Sequence, residues 1–267
     1  MQYPPNILTV AGSDSGGGAG IQADLKTITM LGAYGMSVIT ALTAQNGLGG
    51  TGIHAPDASF VTLQLQTVLA GFPVHAAKTG MLFSSAIIGA VADGLADRSF
   101  PLVVDPVCVS QSGHRLLEED AVDALKERIL PLADLLTPNR PEAELLAGMS
   151  INSDADVAEA GRRLLALGAK AVLIKGGHFE SAPILVTDWL ITPDRDPDPL
   201  RQPHVNTPNN HGTGCTLSAA VATWLGFGMP LRVAVTKAQE YLNQGLRHAY
   251  APGEGAGPPR HTFVLRS

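Results

Sequence analysis

Cysteine is scarce: Cys108 and Cys215 are the two in 267 residues, too few for a disulfide framework. Aromatic residues make up 5% of the chain, which suits helices packed closely on a sheet better than an aromatic-rich β-sandwich. The net charge is −6 and no run of lysines or arginines occurs, so a basic footprint for nucleic acid is missing. No uninterrupted apolar stretch nears the roughly 20 residues needed to cross a bilayer. The start, Met1-Gln2-Tyr3-Pro4-Pro5-Asn6, has neither the basic nor the apolar part of a signal peptide. The expectation is a cytoplasmic protein with no nucleic-acid or membrane partner. The eight histidines form no pair at metal-ligand spacing, which argues against zinc. A Gly-x-Ser-x-Gly nucleophile elbow is also absent.

What the chain has instead is alternation. Apolar runs at 7–11, 37–44, 76–79, 101–105, 135–137 and 171–175 read as strands. Between and after them, segments 19–31, 60–69, 84–96, 118–130, 154–167, 213–225 and 231–248 read as helices, Ile21, Leu25, Ile28 and Leu31 setting the spacing in the first. A strand over 184–191 has no helix before it and reads as an antiparallel addition. Segment 192–199, rich in proline and aspartate, reads as an exposed turn. Repeated strand–helix units predict an α/β fold with a largely parallel sheet covered on both faces. They also predict one domain over residues 1–267.

The chemistry-bearing residues fall at the predicted strand ends, where open α/β sheets bind ligands. The first strand leads into Gly12-Ser13-Asp14-Ser15-Gly16-Gly17-Gly18-Ala19-Gly20, then Asp24. Ile21 stands where a dinucleotide fingerprint needs its third glycine, and no Gly-Lys-Ser/Thr closes a Walker A loop. Gln45 follows the second strand, and its amide could pair with an aminopyrimidine edge or be a satisfied loop amide. Asp105 and Glu142 could hold Mg²⁺ near a triphosphate through water, while Asn139 ahead of Arg140-Pro141 equally suits a helix cap. Lys175 places a cation at a further strand end.

The richest stretch is Asn209-Asn210-His211-Gly212-Thr213-Gly214-Cys215-Thr216, before a run of small apolar residues. It reads as a loop entering a helix, where free N–H groups and the macrodipole attract anions. Gly212 and Gly214 allow a sharp turn and close approach to a ligand. Cys215 in the first turn is expected to lose its proton more easily than a free thiol. An ordinary glycine-punctuated helix start with a buried cysteine fits the same residues.

Taken together, AGSDSGGGAGIQADLKT (11–27), TAQNG (43–47), KTGML (78–82), DPV (105–107), TPNRPEAELL (137–146), IKGGH (174–178) and HGTGCTLSAA (211–220) resemble the hydroxymethylpyrimidine/phosphomethylpyrimidine kinases of the ribokinase-like superfamily. The resemblance runs nearly the whole chain in the family's order. It implies a three-layer α/β/α fold, usually dimeric, and two ATP-dependent phosphorylations of 4-amino-5-hydroxymethyl-2-methylpyrimidine in thiamine biosynthesis. It implies that Gln45 binds the pyrimidine, with Gly12, Asp24, Met81 and Val107 lining the same pocket. Asn139 and Glu142 match a motif that helps place Mg²⁺ and phosphate; Asp105, Lys175 and His211 fall on the nucleotide side. Gly212, Thr213 and Gly214 match the anion hole. Cys215 stands where the superfamily's sugar kinases carry an aspartate base. Cys108, Gln111 and Asn210 depart from the family's usual residues. Competing readings are a pyridoxal kinase and a catalytically silent pyrimidine-binding module.

Overall fold

The structure, a computed structural model, describes residues 3–108, 117, 120–176 and 184–265. Strand β1 (Asn6–Asp14) is followed by helix α1 (Gly20–Met30), β2 (Tyr34–Asn46), β3 (Gly49–His54), α2 (Ala58–Gly71), β4 (Ala76–Thr79), α3 (Ser85–Leu95) and β5 (Leu102–Val104). Next come α4 (Ala121–Ala124), widening into a π-turn over Leu125–Ile129, then β6 (Leu135–Leu136), α5 (Arg140–Ala147), α6 (Asp154–Ala166) and β7 (Val172–Ile174). Strands β8 (Leu185–Ile191) and β9 (Asp198–Pro203) precede helices α7 (Thr213–Gly226) and α8 (Leu231–Arg247).

The nine strands among the described residues join one sheet in the order β3-β2-β1-β4-β5-β6-β7-β8-β9. Its middle, β2 through β7, is parallel, and antiparallel strands close both edges. Neighbouring residues in each strand point to opposite faces, and the sheet has an apolar core on each side. Leu8, Val10, Leu102 and Val104 pack with Val91 and Ile88 of α3 and Leu164 of α6. Ile7, Ala76, Val103 and Leu173 pack with Ile28 of α1, Val221 of α7 and Ala238 of α8. The result is the three-layer α/β/α sandwich that the alternation predicts.

Two strands escape the sequence reading, β1 and β2 outrun the expected 7–11 and 37–44 at both ends, and the late turn is shorter than expected. β3 (GGTGIH) has hardly any apolar alternation because it is an exposed edge. The 192–199 turn ends before Asp198, where β9 begins as the opposite edge, and Pro199 and Pro203 are tolerated there because an edge strand need not donate on both sides. The chain runs from β1 out to β2 and β3, then returns to place β4 on the other side of β1. A crevice therefore opens beyond the carboxyl ends of β1 and β4.

Candidate active site

A cavity of about 350 Å³ occupies that crevice. One wall carries Gly12, Gln45, Met81 and Val107, all from the ends of β1, β2, β4 and β5. Thr40 Oγ1 donates to the Met81 carbonyl at 2.5 Å and fixes that turn. The structure does not bring Asp24 to this wall. It lies in α1, fully buried, 3.0 Å from Lys78 Nζ, so the expected pocket residue is instead half of an interior ion pair. The helical face of α1 explains the shift, because Asp24 shares it with the buried Ile21, Ala23 and Ile28.

A second wall is charged. Asp105 is 2% exposed, and its Oδ1 accepts from Lys175 Nζ at 3.0 Å. Asn139 and Glu142 make a full capping box on α5. Asn139 Oδ1 accepts from the Glu142 N–H at 2.9 Å, and Glu142 Oε2 accepts from the Asn139 N–H at 2.8 Å. Both also line the cavity, so the cap and the site are the same residues. Burial pushes the Glu142 carboxyl above its usual range despite Lys175 nearby. Burial opposes the Lys175 ammonium too, but Asp105 and Glu142 outweigh it and raise its pKa. Gly177, His178 and Gln111 lie outside the described residues, as do Glu118 and Glu119.

The third wall is the start of α7: His211, Gly212, Thr213, Gly214 and Cys215. Gly212 caps the helix with φ 78°, and a Cβ there would collide with the Gly18 carbonyl. Thr213 N–H donates to the Asn210 carbonyl, while the N–H groups of Gly214 and Cys215 have no acceptor among the described residues. Two adjacent free donors at a helix N-terminus make an anion site.

The Cys215 thiol departs from expectation. Burial pushes it up to about 12; Lys78 pulls the other way, but Asp24 and Asp105 add to the rise. A helix N-terminus acidifies a thiol only where desolvation and nearby carboxylates do not outweigh it.

Asp14 is a cavity residue that the sequence reading passed over. It accepts from the N–H groups of Gly16, Gly18 and Ala19 at 2.8, 2.9 and 2.8 Å, and so folds the glycine loop around its own carboxylate. Burial pushes that carboxyl up, but His211 and the N–H groups of Ala19 and Gly16 hold it below the usual range. Its place at the very end of β1 was the available signal.

A family model described as phosphomethylpyrimidine kinase matches residues 14–260. A hydroxymethylpyrimidine/phosphomethylpyrimidine kinase of Haemophilus influenzae is 47% identical over 268 residues, covering 100% of both chains. A thiamine biosynthesis bifunctional protein of Geobacter sulfurreducens is 49% identical over 97% of this chain, which spans about half (52%) of that relative's length. Among solved structures, the ADP complex of Bacillus subtilis pyridoxal kinase matches with TM-score 0.89 at 34% identity, covering 99% of this chain and 100% of that one. A phosphomethylpyrimidine kinase from Clostridium difficile matches with TM-score 0.78 at 39% identity, over 90% and 98% of the two chains.

Proposed function

The chain belongs to the phosphomethylpyrimidine kinase family, and from that membership we propose how its site carries two successive phosphorylations. ATP first phosphorylates the hydroxymethyl group of 4-amino-5-hydroxymethyl-2-methylpyrimidine, then the resulting monophosphate, in thiamine biosynthesis. The observation that carries the residue assignment is that the free N–H groups of α7, the Asp105–Lys175 pair, the Asn139–Glu142 cap and Gln45 face one cavity.

Gln45 reads the pyrimidine edge, and Gly12, Met81 and Val107 hold the ring. The nucleotide phosphates lie towards Lys175, Asn139 and His211. In the first step the substrate hydroxyl oxygen bonds to the γ-phosphorus, the bond to the ADP oxygen breaks, and Cys215, once its thiol has given its own proton to solvent, takes the hydroxyl proton on Sγ. The free N–H groups of Gly214 and Cys215, at the end of the Gly212–Gly214 loop, hold the transferring phosphoryl as its charge spreads. In the second step the attacking phosphate oxygen already carries charge, and no base is required.

Among the described residues no group of three His, Cys, Asp or Glu could hold a metal alone. That fits Mg²⁺ arriving on the phosphates and needing one or two carboxylates. Asp105 and Glu142 would supply them, partly through water, and the ion would neutralise phosphate charge.

Further parts of the reading are a single ribokinase-like domain over 1–267, a cytoplasmic enzyme of small molecules, and a homodimer. Exposed Leu42, Ile53, Phe60 and Leu63 on β2, β3 and α2 support the last. The likeness to pyridoxal kinase supports a second reading, phosphorylation of pyridoxal at the same site. Side-by-side ADP release with the pyrimidine alcohol, its monophosphate and pyridoxal tests both. Turnover of pyridoxal alone would overturn the main reading, and no ADP release would leave a binding module.

A further inference from the structure

Asp188 of β8 is buried and stands outside the lining of the cavity. Its Oδ1 accepts from the Gly176 N–H and its Oδ2 from Gln239 Nε2 of α8, each at 2.7 Å. Both donors are neutral, while the ammonium of nearby Lys175 is bonded to Asp105. An acid buried against neutral donors alone costs more than an apolar side chain of the same size. Packing does not account for it.

Its position does. The β7–β8 ladder ends at the Ile174–Trp189 pair, and two residues later Gly176 forms part of the cavity wall. Beyond the ladder, the Gly176 N–H takes its acceptor from the Asp188 side chain. The same glycine presses on the residue before Asp188, and a Cβ there would collide with the Thr187 carbonyl. On the other side, the Lys175 N–H donates to the Pro138 carbonyl at 2.9 Å, and Lys175 bridges to Asn139. Lys175 and Gly176 are thus gripped between the start of α5 and β8, and Asp188 supplies the hydrogen bond on the β8 side.

We infer that Asp188 is a positioning residue, which through the Gly176 N–H fixes the Lys175–Gly176 corner of the cavity for the phosphates of ATP. This rests on the reading that those phosphates lie towards Lys175. Oδ1 has only to accept, so asparagine can replace the acid. Its oxygen takes the Gly176 N–H, and its –NH₂ meets the Gln239 oxygen, buried and without a partner among the described residues, once that amide turns over. Alanine can do neither.

Steady-state kinetics of both phosphorylations, with ATP and each pyrimidine substrate varied in turn, test the role. Asp188→Ala should raise the KM for ATP by about tenfold or more in both steps, as slight misplacement of a binding group does, with the KM for alcohol and monophosphate held within about twofold. Asp188→Asn should keep the KM for ATP close to that of the native chain. Should Asp188→Ala fail to fold, Asp188→Ala with Gln239→Met leaves no side-chain amide unpaired and is read the same way. An acid needed for the fold alone would lower Tm and leave both KM values unchanged, which overturns the inference. So does an equal rise in both KM values, or an Asp188→Asn as impaired as Asp188→Ala. Lys175→Met tests the reading beneath: an unchanged KM for ATP there misplaces the nucleotide wall, and the inference falls with it. A raised KM in Lys175→Met beside an unchanged one in Asp188→Ala removes Asp188 alone.

Discussion

His211 Nε2 lies 3.0 Å from Asp14 Oδ2 and 3.1 Å from Gln45 Nε2. A ring nitrogen that donates to a carboxylate cannot also accept from an amide N–H. The donor requirement at Asp14 therefore calls for the Gln45 amide oxygen, not its nitrogen, towards His211, since the two ends of a side-chain amide are assigned from their neighbours. In the proposed role its –NH₂ then meets a ring nitrogen of the pyrimidine. Removing it leaves a buried partner unsatisfied, at about 1–3 kcal/mol. Gln45→Ala should weaken pyrimidine binding by about one to two orders of magnitude with ATP affinity little changed, as titration calorimetry can check. Unaltered pyrimidine affinity would reduce Gln45 to a loop amide.

A side chain at Gly214 would intrude on the charged wall. Its Cβ would stand 3.3 Å from Lys175 Nζ and 3.4 Å from Asp105 Oδ2, and the methyls of a valine would go further. Gly214→Val should cut turnover of both phosphorylations by about 10²-fold or more, the scale of losing an anion-hole donor, while circular dichroism stays native. Near-normal turnover of the folded variant would remove the anion hole from this loop.

Cys215→Ala separates the two steps. A general base contributes about 10²–10⁴-fold, so the alcohol should suffer that loss and the monophosphate far less. Supplying each substrate separately gives the comparison. Equal losses would mean the thiol shapes the cavity.

How much of this was legible depends on where the signal lay. The ends of β4, at Ala76 and Thr79, match the expected short strand, and α7 and α8 fall within a residue of expectation, the two helices because buried apolar periodicity fixes them. β3 and β9 carried no such pattern, since edge strands at the sheet's margins bury little. In the site, motif order brought out Gln45, Asp105, Asn139 and Lys175. Asp24 was misplaced because helix phase decides whether its side chain meets the cavity or the interior. The Cys215 thiol was misjudged because proximity to a helix start is local, whereas burial and the charges of Lys78, Asp24 and Asp105 come from distant segments.

Acid should weaken one structural tie that the site does not use. Asp134 accepts from Lys170 Nζ at 2.8 Å, Arg98 at 3.0 Å and the Leu102 N–H at 2.8 Å. Burial pushes this carboxyl up, but these partners outweigh it and hold it below the usual carboxylate range. A depressed carboxyl stabilises the fold above its unfolded value and loses that contribution as pH falls through its folded value. Asp134→Asn should lower Tm at pH 7 by about 2–4 °C for each kcal/mol lost, and the gap should close as acid protonates Asp134 in the folded chain. A gap of the same size in acid would point to lost packing.

Chelation should stop both phosphorylations yet leave the Tm of the nucleotide-free chain unchanged, because no described trio of ligands could bind a metal by itself. A fall in Tm with EDTA would reveal a resident ion.

Helix α7 begins at the anion loop and is buried without a break from Thr216 to Thr223, and beyond them Gly226 presses on Ile7 of β1. The glycine loop is thus the half-buried tip of a core element and has no separate softening temperature. On heating, inactivation and unfolding should track each other, and substitutions deep beneath α7 should register first as shortened working life.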